Sequence, residues 1–134
     1  MKEMIYKTER TVNVLEDSTY KNYHYVVLSL GTHPCGYVEV PKRNKLYGLN
    51  MDRLPDIDCH GGVTYTRSYL GLDNNSKAYK DSWFIGWDYA HYMDYMGGLF
   101  MISDVDNKKW TTPEIVTECK NVIEQLIKMG ENND

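Results

Sequence analysis

The chain has 134 residues and a formal net charge of −4, carried unevenly: residues 1–48 hold seven Lys/Arg against five Asp/Glu, and residues 49–134 hold eight against fourteen. That length suits a single domain over 1–134 and is too short for two ordinary ones. No basic stripe accompanies the aromatics, so direct nucleic-acid binding by phosphate neutralisation is not expected; the acidic half suits either a basic protein surface or plain solvation.

Three cysteines with no Cys-x-x-Cys pair do not read as a disulfide framework and point to a reducing compartment. The first residues, Met1-Lys2-Glu3-Met4-Ile5-Tyr6-Lys7, lack an apolar signal core, and no later run approaches the ~20 apolar residues of a membrane span. A cytoplasmic protein without membrane contact is the expectation. Twelve tyrosines favour half-buried sheet surfaces, so strands should dominate.

In chain order, residues 4–16 alternate weakly and suit one edge strand or a bent pair. Asp17-Ser18-Thr19 reads as a turn, and Tyr23 to Leu30 is the strongest strand. The chain should break at Gly31 to Gly36, where Pro34 cannot donate to a ladder, and resume as a strand over 37–41. Residues 42–55 read as a surface loop with a short helical turn. Residues 57–66 form the next strand candidate, interrupted by Gly61-Gly62, where a bulge or a close approach is expected. Residues 71–81 are a turn or hairpin tip, 82–87 a strand, and 92–98 a loop.

The clearest element is the last. Ile115, Val116, Cys119, Val122, Ile123, Leu126 and Met129 recur at helical spacing, opposite Glu118, Asn121, Gln125 and Lys128. Thr112 is favoured as N-cap with Pro113 as the first helical residue, over a capping box of Thr111 with Glu114; Gly130 marks the end. The fold class is therefore α+β: a twisted, mainly antiparallel sheet of five or six strands with the C-terminal amphipathic helix packed on one face.

The segments around Cys59-His60-Gly61-Gly62 and Trp83-Phe84-Ile85-Gly86-Trp87-Asp88-Tyr89-Ala90-His91 are expected to be neighbouring strands meeting at a polar centre. His60, Asp88 and His91 offer the imidazole nitrogens and carboxylate oxygen that a tetrahedral zinc accepts. Asp88 and His91 would share a face if 88–91 form a helical turn. A fourth ligand comes from His33 or Cys35, then Glu39 or Asp94; His33 is taken first. His60 is preferred over Cys59 because neighbours in a regular strand face opposite ways. His24, mid-strand, reads as structural. Four protein ligands would make zinc structural, whereas three plus water would suit a hydrolase or a small-ligand-binding protein, with Asp94 or Glu39 as base. A nucleophilic Cys35 or Cys59 is the weaker catalytic option. Neither Gly-Gly pair has the setting of a phosphate-binding loop.

In order, His33-Pro34-Cys35-Gly36-Tyr37-Val38-Glu39-Val40-Pro41, His60-Gly61-Gly62-Val63-Thr64-Tyr65 and the 83–91 run, with Glu118 in the last helix, resemble a family of small phage and prophage proteins of mostly unassigned function. The resemblance covers roughly residues 30–126. It implies an anti-CRISPR role like that of a zinc-containing inhibitor of type II-A Cas9: a metal-stabilised protein of the host cytoplasm that binds this bacterial defence nuclease and blocks target-DNA engagement. The chain departs from the family pattern at Tyr89, where cysteine is frequent, and at Met93, where glycine is. The first departure removes one conceivable ligand, and no catalytic residue is implied.

Overall fold

A computed structural model describes residues 12–30, 33–71, 78–79, 82–89 and 109–131. Strands β1 (Asn13–Tyr20), β2 (Tyr23–Ser29), β3 (Pro34–Glu39), β4 (Tyr65–Arg67) and β7 (Phe84–Asp88) form one antiparallel sheet in the order β1-β2-β3-β7-β4. β5 (Leu70–Gly71) and β6 (Ala78–Tyr79) make a separate two-stranded ribbon, and α1 (Thr112–Met129) packs across β1, β2 and β3. The fold is α+β, as the sequence pattern requires.

Alternation along the strands sends side chains to two apolar layers. Tyr23, Tyr25 and Val27 of β2, Val38 of β3, and Ile85 and Trp87 of β7 meet Ile115, Cys119, Val122, Ile123 and Leu126 of α1. The five helix residues are fully buried, each apolar side chain contributing about 1.5–3 kcal/mol of transfer free energy. The interleaved residues Val26, Leu28, Cys35, Tyr37 and Phe84 form a second layer on the far side with Leu70. Both layers bring an aromatic ring down on a glycine of the neighbouring strand. Trp87 covers Gly36, and Tyr37 covers Gly86, where an added Cβ would lie 2.8 Å and 2.4 Å from the respective rings.

Several boundaries differ from the sequence pattern. β1 runs straight through Asp17-Ser18-Thr19, and the chain turns instead at Lys21 and Asn22, both with positive φ (51° and 68°). That is the left-handed pair a tight two-residue hairpin demands, and asparagine adopts it at little cost. β3 begins at Pro34 rather than at 37, because the first residue of a strand can do without an N–H. Residues 57–64 are not a strand: Gly61 and Gly62 take φ of 71° and 82°, and the Gly62 N–H closes a turn on the Cys59 carbonyl at 2.9 Å. Only Tyr65–Arg67 pairs with β7, so the expected adjacency of the two segments holds over a shorter span.

At the start of α1 the capping box forms. The Thr111 hydroxyl accepts the Glu114 N–H, and the Glu114 carboxylate accepts the Thr111 N–H at 2.9 Å. Thr112 is thus inside the helix rather than its cap; two reciprocal bonds outweigh the reluctance of a residue before proline to turn helical. Near the other end, the fully buried Asn44 donates to the Tyr23 hydroxyl and the Leu126 carbonyl, and accepts from the Leu46 N–H, each at 2.9 Å. One amide therefore ties loop, sheet and helix together. A 3₁₀ turn, Met51–Arg53, occupies the loop where a helical turn was expected.

Candidate functional site

α1 presents Glu118 and Gln125, two turns apart on one face, to the irregular segment before β4. The Gln125 amide brackets Asp58, accepting its N–H and donating to its carbonyl, both at 2.8 Å. The Glu118 carboxylate accepts the backbone N–H of His60 and lies close enough to its ring to feel the imidazole charge. Burial nevertheless dominates and raises the Glu118 carboxyl above the ordinary carboxylate range. The His60 ring lies flat on Tyr89, with centroids 4.7 Å apart and planes at 9°, and Trp110 meets the edge of the pair at 4.9 Å from His60. The Trp87 indole N–H donates to the Tyr89 hydroxyl at 3.0 Å. Because this segment is not a strand, Cys59 and His60 do not point opposite ways. Both pack toward the helix-side layer, and burial pushes the Cys59 thiol up to about 12.

Asp88 belongs to the other side of the sheet. It ends β7 opposite Cys35 and alternates with Phe84 of the far layer; Thr64 donates to its carboxylate at 3.4 Å. Asp88 closes a strand, and the helical turn expected for 88–91 falls partly outside the described residues. His33 immediately precedes β3, its carbonyl accepting the Leu30 N–H at 2.9 Å. His91 and Asp94 lie outside the described residues, as does the 92–98 loop.

The four proposed ligands are therefore not gathered by what is described. His60 stacks on the helix side and Asp88 projects from the opposite side. Among the described residues no group of three or more His, Cys, Asp or Glu side chains is placed to hold a metal ion. Of the proposed zinc ligands His33, His60, Asp88 and His91, the described residues place His60 against Tyr89 and Asp88 at the end of β7 opposite Cys35.

A constellation that alternation alone did not reveal sits on the far side. His24 of β2 contacts Glu39 of β3 through Nδ1 at 2.9 Å and Asp17 of β1 through Nε2 at 2.7 Å, with Phe84 edge-on to the ring at 6.1 Å. Glu39, a candidate ligand or base by chemistry, is engaged by this histidine. The signal was available in principle: His24 and Glu39 share a face once β2 and β3 pair, but the register that makes them neighbours is not written locally. The far layer also holds Tyr37, whose phenol burial raises well above its ordinary value, with Cys35 and Asp88 adding to the shift. Cys119, beneath α1, is likewise raised to about 12 by burial. Cys59 and Cys119 are thus held as thiols at neutral pH.

The exposed side chemistry is acidic. From the 3₁₀ turn to Cys59 the chain exposes Asp52, Asp56 and Asp58 together with Met51, itself 45% exposed, with Arg53 as the one cation of that loop. No described helix is long and apolar enough to cross a membrane. Fold and surface together define a two-layer α+β protein with an acidic loop beside its helix. Compared with known proteins, the chain matches no family model, no curated protein and no solved structure.

Proposed function

We propose that this chain is a non-enzymatic binding protein of the host cytoplasm, of phage type, that inhibits a bacterial defence nuclease by protein contact, with Cas9 as the candidate target. The observation that carries this reading is the acidic loop: three exposed aspartates and an exposed methionine within one short segment, in the half of the chain that carries the excess of negative charge. A nuclease that holds DNA must present a basic channel, and an acidic protein surface competes for that channel by charge, while a flexible thioether supplies an adaptable apolar contact. The thiol state of Cys59 and Cys119 gives no support to cysteine nucleophilic chemistry at these positions.

Purified protein at stoichiometric concentration is expected to co-purify with Cas9 and to suppress target cleavage, less so as salt is raised. Absence of binding and of inhibition at low salt would end the nuclease reading.

A stabilising zinc ion is a separate proposal and now depends on His91. It is supported if metal analysis finds zinc in the purified protein and EDTA lowers its Tm. Zinc-free protein with an unchanged melt removes it.

A further inference from the structure

The acidic loop also shapes two depressions that share a wall. One, of about 380 Å³, is lined by Asp56, Ile57, Asp58, Cys59 and Gln125. The other, of about 170 Å³, has Met51, Leu54 and Val63 among its walls and again includes Asp56 and Ile57. The result is one groove, acidic at one end and apolar at the other, with Asp56 and the buried Ile57 common to both.

Its acidic end is held in place before any partner arrives. Gln125 fixes the backbone of Asp58 through both its N–H and its carbonyl. A rigid frame of this kind lowers the ordering cost of binding. Among the described residues no cation pairs with the carboxylates of Asp56 or Asp58, and the neighbouring thiol of Cys59 is neutral. Two exposed carboxylates beside a half-buried apolar wall complement a guanidinium, whose planar fork binds carboxylates and whose weak hydration tolerates apolar surroundings.

We infer that this groove is the docking site for an exposed segment of a partner protein in which an arginine stands beside an apolar side chain. The guanidinium lodges at Asp56 and Asp58, and the apolar group covers Ile57 against Met51 and Leu54. This rests on reading the chain as a binding protein and locates its contact.

The test is a titration of the isotopically labelled full chain with the blocked peptide acetyl-Leu-Arg-Leu-amide, followed by amide chemical shifts. Shifts are expected to concentrate at residues 56–59 and at the Gln125 side-chain amide. The affinity should fall about tenfold or more in the Asp56→Asn/Asp58→Asn variant, and similarly when glutamine replaces arginine in the peptide. A Glu16→Gln/Glu124→Gln variant, which removes two charges elsewhere, should bind as the wild type does. Shifts outside the groove, or undiminished affinity in Asp56→Asn/Asp58→Asn, overturn the inference. A parallel Cas9 cleavage assay separates the two readings: peptide docking at the groove without Cas9 inhibition removes the nuclease and keeps the site. Inhibition of Cas9 that is equal in wild type and Asp56→Asn/Asp58→Asn keeps the nuclease and removes the site.

Discussion

The two sides of the sheet each hold a histidine, and they are stabilised in unlike ways. On the helix side, His60 is sandwiched into an aromatic group with Tyr89 and Trp110. On the far side, His24 is bracketed by the carboxylates of Asp17 and Glu39. Each ring nitrogen of His24 lies within hydrogen-bond distance of one carboxylate oxygen, so the ring links three strands. One histidine therefore contributes by ring packing and the other by bridging two carboxylates. The same residue type, in strand-rich surroundings of the same chain, cannot be assigned a role without knowing which side of the sheet it joins.

The largest effects should come from the glycine–aromatic pairs that build both layers. Gly86→Ala, which forces a methyl against the Tyr37 ring, and Gly36→Ala, which does the same against Trp87, are each expected to cost about 3 kcal/mol in urea denaturation. Gly86→Ala should be the worse, since its Cβ would sit closer to the ring. Equal, near-zero losses would mean that the rings do not rest on these strands.

His24→Ala should cost about 2 kcal/mol, because it leaves the carboxylates of Asp17 and Glu39 on one face without the ring that bridges them, and part of that loss should vanish in high salt as their mutual repulsion is screened. His60→Ala should cost about 1 kcal/mol with little salt dependence, as expected for stacked rings. If the two variants showed the same salt response, the contrast between the sides would collapse. Thr111→Ala, which breaks the cap of the helix covering one side only, should cost about 1 kcal/mol.

The smallest effect concerns pH. Glu118 has its proton affinity raised by burial in the folded protein, so the native state binds that proton more tightly than the unfolded chain. Its stabilising contribution is complete below the ordinary carboxylate range and is lost as pH rises through the raised value. Glu124, six residues further along the same helix, is shifted the opposite way by Lys21 and Tyr20, so its contribution is lost as pH falls. The difference between wild type and Glu118→Gln isolates the first: wild type should lose stability relative to the variant across that acidic window.

The strands and the helix that repeat a clear period were legible. Phe84–Asp88, Tyr23–Ser29 and Thr112–Met129 fall where the apolar pattern places them, because burial on one or both sides imposes that pattern directly. Turn positions were legible less well. Asp17-Ser18-Thr19 has turn chemistry yet lies in β1, since pairing with Val26, Tyr25 and His24 holds it extended. The metal reading joined His33, His60, Asp88 and His91 by ligand type, by the adjacency of two segments and by the spacing of Asp88 and His91; only the adjacency has a counterpart among the described residues, in the pairing of Tyr65–Arg67 with β7.

The order of residues by itself determined that the chain would build an antiparallel sheet with one amphipathic helix, because periods of two and 3.6 are properties of neighbouring residues. It also determined that negative charge would gather after residue 48. Tertiary structure alone decided which polar groups meet: Glu39 with His24, Glu118 and Gln125 with the 58–60 backbone, and Asn44 with Tyr23 and Leu126. Those meetings depend on register and on the side of the sheet, and a shift of one residue reverses every side chain in a strand.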